Sequence, residues 1–384
     1  MKSITFLMHN IYAMGGTVKS VTQLANTLAE KGHAVTIISV FRGSKQPYFE
    51  LDPRIQIRNL TDYRPDPRNF KDIFINRLHK YTGFSKTKWL SSHEPGLSQF
   101  THHVEKKIIK AIRSTNTDVL VGTRASYNIL ISKHGAVNIE KVGMEHMNLG
   151  AYPVEYRKEI VNAYQDLDRI TTLTSSDQKR YQRYVKTPVY IVPNILDEPT
   201  LNLAKAQRIV AAGRLEYEKG FDLLIESIRV IQQSMRQLNY TLSIYGEGTE
   251  REHLQQLIDQ YELNDCITLH PHTRQLAEKL AQSEMTIVPS RNEGFGMVIL
   301  EAMNQGSIVI SFDQNTGPES IIDNNINGYL VEHGNSEALG YKIRRLMNQE
   351  LKNNPIIDEA RKTVDLYKPE QVYQAFRTAI NDKS

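Results

Sequence analysis

The chain is poor in the features that would make it a stapled, spanning or metal-built protein. One cysteine, Cys266, stands in 384 residues. That excludes an internal disulfide framework and any metal site made of several cysteines. Cys266 opens the apolar run Cys266-Ile267-Thr268-Leu269, which gives it a packing role. No stretch approaches the roughly 20 apolar residues needed to cross a bilayer. The N-terminal run from Met1 to Asn10 is too short and too polar for a secretion signal, so the expected location is cytoplasmic. Strong charge of one sign is also missing: a net +4 is mild and does not suggest a nucleic-acid partner.

What charge there is clusters. Between Arg64 and Arg113 there are eleven Lys or Arg against four acids, a local excess of +7. A basic surface of this kind attracts an anionic lipid or an anionic polymer, although a solvated helical face reads the same way. Lys106, Lys107 and Lys110 are its candidate acceptor or membrane contacts, and peripheral attachment to the inner face of the cell membrane stays open.

The length suits two or more domains at roughly 150 residues each. The pattern along the chain is strand–loop–helix–strand from the start. Ile4–Met8 reads as a buried strand, followed by a loop with Gly15-Gly16. A helix then carries Val18, Val21, Leu24, Ala25 and Leu28 on one side, stops at Gly32, and gives way to a strand over Ala34–Val40. Residues 42 to 98 read as irregular, with a helix over Asn69–His79 whose apolar side would be Phe70, Ile73, Phe74 and Leu78. Beyond a linker from Pro193 to Gln207, six strands alternate with helices: Arg208–Ala212, Tyr240–Tyr245, Cys266–Leu269, Met285–Val288, Ile308–Ser311 and Gly328–Val331. Helices are expected over Phe221–Leu238, Glu250–Gln260, Leu276–Gln282, Met297–Asn304, Glu319–Asp323 and Ser336–Met347. The fold class is therefore α/β, with two Rossmann-like domains facing across a central cleft. Their expected bounds are 1–195 and 196–365, with a C-terminal helix over 366–384 packing back on the first.

Two loops carry the chemistry. The strand Met285–Val288 runs into Arg291–Gly296, and a helix opens at Met297. The first N–H groups of a helix lack internal partners, and the helix dipole adds about +0.5 charge there. Gly294, Gly296, Met297 and Val298 thus offer a phosphate cradle. Glu293 lies in the loop and Glu301 one turn into the helix; a carboxylate suits a pair of sugar hydroxyls. Taken alone, this is equally a capped helix with two surface glutamates. The second loop, Gly213-Arg214-Leu215-Glu216-Tyr217-Glu218-Lys219-Gly220, also follows a strand and puts two cations at the same edge. Arg214 and Lys219 can neutralise a diphosphate leaving group.

Together with Tyr245-Gly246-Glu247-Gly248 and the Gly15-Gly16 loop, these segments resemble the signature of the family-4 retaining glycosyltransferases, whose fold is GT-B. Glu293 and Glu301, with seven residues between them, match that family's two-glutamate motif, and the resemblance makes 1–195 the acceptor-binding and 196–365 the nucleotide-sugar-binding domain. The likeness runs from about Arg208 to the end and again over residues 1 to 40, is looser from Met144 to Asn194, and is poor from Arg42 to Arg113. It implies that Arg214 and Lys219 hold the diphosphate and that Glu301 binds the ribose. Glu293 and His146 would face the reacting sugar, with Gly15, Gly16, Gly246 and the backbone of Gly294, Phe295, Gly296, Met297 and Val298 lining the donor. His270 stands where the family often has glycine. The resemblance implies no metal and no cofactor beyond the nucleotide-sugar substrate.

Asp313…Gly317-Pro318-Glu319 and Asn327-Gly328-Tyr329 resemble members that build bacterial cell-surface polymers, teichoic acids and exopolysaccharides among them. The implied reaction moves a hexose or N-acetylhexosamine from a UDP-sugar to an anionic polymer or lipid-linked glycan. A sugar-nucleotide epimerase on the same scaffold, and an inactive sugar-binding partner of another transferase, are the alternatives. The first would turn over donor without acceptor, and the second would bind donor without transfer.

Overall fold

The computed structural model describes residues 1–82, 86–314, 317–351 and 354–381, with Arg68 and Lys80 by backbone alone. The chain divides into two compact units. One holds Met1–Ile195 and the chain from Pro369 on; the other is Leu196–Lys368.

The first unit is built on strands β1 (Ser3–Met8), β2 (Ala34–Arg42), β3 (Gln56–Asp62), β4 (Val119–Gly122), β5 (Glu140–Met144), β6 (Arg169–Thr172) and β7 (Val189–Ile191). Its helices are α1 (Gly16–Glu30), α2 (Phe70–Thr82), α3 (His102–Ser114), α4 (Ala125–His134), α5 (Val154–Tyr164) and α6 (Ser175–Gln182). All pairings are parallel, in the order β3-β2-β1-β4-β5-β6-β7. Helices cover both faces, so central strands such as β1 are buried on both sides and read as continuous apolar runs. In α1, Val21, Leu24, Ala25 and Leu28 recur at helical spacing and are all buried. The helix ends before Gly32, whose φ of +89° suits glycine.

Two expectations for this unit are corrected. The stretch read as irregular contains β3, which pairs along β2 at the sheet's edge. Its polar sequence, Gln-Ile-Arg-Asn-Leu-Thr-Asp, shows no apolar run because an edge strand need not be buried on both faces. The helix α2 is present, but Phe70, Phe74 and Leu78 are exposed rather than core-facing, with the Phe70 and Phe74 rings stacked at 6.0 Å.

The second unit has strands β8 (Ala206–Ala212), β9 (Thr241–Tyr245), β10 (Ile267–His270), β11 (Ser283–Val288), β12 (Ile308–Phe312) and β13 (Tyr329–Val331). Its helices are α7 (Phe221–Gln237), α8 (Arg251–Gln260), α9 (Leu276–Ala281), α10 (Met297–Asn304), α11 (Ser336–Met347) and α12 (Pro355–Asp365). The strand order is β10-β9-β8-β11-β12-β13, again parallel throughout. The helix expected over Glu319–Asp323 is a single 3₁₀ turn, Pro318–Ser320. Cys266 is buried in the core beside Leu263 and Ile267.

The last helix, α13 (Pro369–Ala379), belongs to the first unit. Val372, Tyr373 and Phe376 bury against α1 and β1 residues, and the Tyr373 hydroxyl pairs with His33 Nε2 at 3.1 Å. Among the described residues, no helix is long and apolar enough to cross a membrane.

Candidate functional site

In an open parallel sheet, ligands bind beyond the carboxyl ends of the strands where the strand order reverses. In the second unit that point lies between β8 and β11, which are neighbours although β9 follows β8 in the chain. The loops leaving those two strands are 213–220 and 289–296, the two segments that carry Arg214, Lys219 and Glu293.

The structure joins these loops. Gly220 turns with φ +65°, and a Cβ there would stand 2.1 Å from the Pro289 carbonyl oxygen. Only glycine lets the two backbones approach so closely. The Arg291 and Asn292 amides donate to the Glu218 carbonyl at 2.8 and 3.3 Å. The Arg291 guanidinium forks onto Asp222 at 2.7 and 2.6 Å and lies over the Tyr217 ring at 4.1 Å. Burial alone would raise the Asp222 carboxyl; the Arg291 charge outweighs it and holds it below the usual carboxylate range.

On this frame Lys219 Nζ meets Glu293 Oε2 at 2.7 Å, both side chains being mostly buried. The Ser290 hydroxyl donates to the same Glu293 oxygen at 3.2 Å, and Gln314 Oε1 accepts from the Glu293 amide at 2.8 Å. The pair sits just ahead of Gly296, which has φ +92° and forms the N-cap of α10 without a side-chain cap bond. Met297 and Val298 fill the first turn of that helix, and Glu301 is buried in its second. Phe295 is an anchor: its ring is buried, edge-on to Tyr367 at 5.8 Å, so its backbone faces Gly317 and its side chain serves the core.

Arg214 stands apart from the ion pair. Its side chain is 71% exposed and bonds Glu218 one turn on, at 2.9 Å. Gly246 packs the loop after β9 against the loop after β8: a Cβ there would come within 1.9 Å of the Gly213 carbonyl oxygen. His270 ends β10 with its ring stacked on Tyr245 at 4.6 Å.

In the first unit the order reverses between β1 and β4. Gly15, after β1, is the N-cap of α1, and the position a Gly16 Cβ would occupy has nothing within 4 Å. That helix start is open to a ligand. His146 follows β5. Its Nε2 is enclosed with no partner among the described residues, and burial lowers its pKa to about 4. His9 is occupied structurally, bonded to Tyr127 and Gln99 at 2.9 and 2.7 Å and packed edge-on against Phe41.

Beside His146 lies Glu145, which the sequence did not single out. It is buried, bonded by Tyr164, by Asn128 at 3.0 Å and by Tyr152 at 3.2 Å. Burial pushes its pKa up from 4.5 to about 7. Below pH 4.5 both folded and unfolded chains hold this proton. As pH rises to 7 only the unfolded chain loses it, so folding is progressively penalised, by up to ~3 kcal/mol. Glu145→Gln removes this titration. The stability difference between the variant and the wild type, read by chemical denaturation at pH 5 and pH 8, should grow in the variant's favour at pH 8. An equal difference at both values would contradict the assignment.

Lys107 bonds Asp72 at 2.7 and 2.8 Å, whereas Lys106 and Lys110 are exposed on the outer side of α3. Sequence reasoning missed Asp222, Arg291, Ser290 and Gln314, which hold the site residues without a spacing signature of their own.

The profile of the family described as glycosyl transferases group 1 matches residues 196–363, the unit that carries the Lys219–Glu293 pair. The chain is a glycosyltransferase of GT-B fold whose second unit carries the group 1 family. This transferase is 26% identical to a glycosyltransferase of Haemophilus influenzae, over 98% of this chain and 99% of that one. It is 24% identical to the amylovoran biosynthesis glycosyltransferase AmsD of Erwinia amylovora, over 99% and 100%. Among solved structures it is similar to S. aureus TarM, in a mutant form crystallised with fondaparinux, α-GlcNAc-glycerol and UDP. That likeness has a TM-score of 0.77 at 17% identity and covers the whole of both chains.

Proposed function

We propose that this glycosyltransferase moves a hexosyl or N-acetylhexosaminyl group from a UDP-sugar, with retention of configuration, to a cell-surface polymer or lipid-linked glycan. The observation that carries the reading is the Lys219–Glu293 ion pair at the N-terminus of α10, beside the strand-order reversal. UDP in the similar S. aureus protein and the amylovoran role of the E. amylovora relative support the donor and acceptor classes.

In the proposed reaction the bond from the sugar's anomeric carbon to the phosphate oxygen breaks, and its electron pair stays on the diphosphate. The acceptor hydroxyl attacks the same face of the carbon, and its proton passes to the departing phosphate oxygen. The chief demand is to stabilise negative charge on the leaving group. Lys219 and the N–H groups of Met297 and Val298 supply that, with Arg214 swinging in from its Glu218 contact. Glu293, held by Lys219 and Ser290, takes the sugar hydroxyls, and Glu301 the ribose. In the first unit His146, kept neutral by its burial, offers a partner for a ligand hydroxyl without adding positive charge there.

The test is incubation of the purified chain with UDP-glucose, UDP-galactose or UDP-N-acetylglucosamine and wall-polymer or lipid-linked fractions, read by mass spectrometry. The expected result is gain of one sugar residue with release of UDP only when an acceptor is present. UDP-sugar consumption without an acceptor, by epimerisation or hydrolysis, would overturn the reading.

A further inference from the structure

The outer face of α3 lines a cavity of about 480 Å³ that the donor site does not use. A volume of this size accommodates a small ligand or one to two sugar units. Its wall includes Trp89, Lys106, Ile109, Lys110, Arg113 and His134. The α3 members recur at positions 106, 109, 110 and 113, so they form one stripe, with three cations over roughly 10 Å of helix. No Asp or Glu is among the lining residues. Among the described residues, Lys106 and Lys110 have no carboxylate within ion-pair distance.

The cavity is held open by a buried anchor. Glu105, fully buried on the inner side of α3, accepts from the amides of Lys88, Trp89 and Leu90 at 2.8, 2.6 and 2.8 Å. This pins the segment bearing Trp89 onto the helix. The carboxylate's charge is spent on those amides and on His102, at 3.0 Å, and does not face the cavity. Trp89 stands half-exposed, edge-on to His134 at 5.1 Å, and Arg113 reaches His134 Nδ1 at 3.2 Å. An indole face beside a guanidinium and two ammonium groups is the chemistry that takes a sugar or polyol by its C–H face and an anionic substituent by its oxygens.

Its place in the fold separates it from the reacting centre. Arg113 lies in the last turn of α3 and His134 closes α4, and both helices end just before a strand begins. That end of the cavity therefore lies at the amino edge of the seven-stranded sheet, while ligands of the transfer reaction belong at the carboxyl edge.

We infer that this cavity is a docking subsite for phosphate-bearing repeat units of a polyol or sugar chain, remote from the end that receives the new sugar. The inference rests on the proposal that the acceptor is a polymer, and it makes the enzyme sensitive to acceptor length. The probe is end-labelled poly(glycerol phosphate), titrated against the full chain by fluorescence anisotropy, with glycerol phosphate and phosphatidylglycerol vesicles as parallel arms. The Lys106→Glu/Lys110→Glu double variant and Trp89→Ala, each checked for an unchanged melting temperature, are compared with the wild type. The expected result is at least tenfold weaker polymer binding in both variants, weak binding of the monomer throughout, and an unchanged KM for UDP-sugar. Equal polymer binding by wild type and variants would overturn the subsite. So would vesicle binding that falls in the variants while polymer binding does not, which would make it a lipid headgroup site. Binding is read without turnover, so failure of the transfer proposal leaves this result standing. Normal turnover on long polymer in the double variant would sink the subsite alone.

Discussion

Lys219→Ala should lower the kcat of sugar transfer by about 10²–10³-fold, the scale found when one preorganised group facing developing negative charge is removed. In the resting protein the Lys219 ammonium is 2.7 Å from Glu293, and one cation at that point can serve both the carboxylate and an arriving diphosphate. Without it, the leaving group meets a partly buried carboxylate with no counter-charge, so the diphosphate is repelled where it should be stabilised. The fold should survive. The pair keeps some solvent access, Ser290 still bonds Glu293, and the neighbouring Arg291–Asp222 fork is untouched. The expected stability cost lies between the ~1 kcal/mol of an exposed pair and the ~3 kcal/mol of a buried pair that loses one partner. Glu293→Ala should also remove most transfer by freeing the sugar hydroxyls it holds. Near-normal turnover in either variant, measured by UDP release with acceptor present, would remove this pair from the site.

Gly246→Ala should damage the second unit before any ligand is considered. The added Cβ would fall 1.9 Å from the Gly213 carbonyl oxygen, and the obstacle is backbone at the end of β8, so no side chain can step aside. The loops after β8 and β9 must separate, and overpacking of this kind costs about 1–3 kcal/mol. For a unit of this size that corresponds to a fall in Tm of about 2–12 °C. The shift is read by calorimetry without nucleotide. An unchanged Tm with lost donor binding would instead make Gly246 a ligand contact only.

The central apolar strands and the amphipathic helices were legible in the sequence because burial on both faces, or on one stripe, writes itself as hydrophobic pattern. The six strands of the second unit and the α11 span show this directly. β3 was not legible, because its polar residues lie at a sheet edge where no apolar pattern is required. The α2 residues Phe70 and Phe74 misled for the converse reason: helical spacing locates a face but does not say what covers it. At the site, strand-end loops with glycine and charge gave Lys219 and Glu293, since their position follows from local topology. Their supports did not show, because Arg291 meets Asp222 across 69 positions and Gln314 meets Glu293 across 21. The α3 stripe looked like one basic patch; packing divides it, with Lys107 turned to Asp72 and Lys106 and Lys110 to the cavity.

The measurement that tests the central claim most directly is the anomeric configuration of the product formed from an α-linked UDP-sugar, read from the proton coupling constant of the transferred residue. A front-face substitution at the Lys219–Glu293 site gives an α-linked product. A β-linked product would contradict retention and the roles given to both residues.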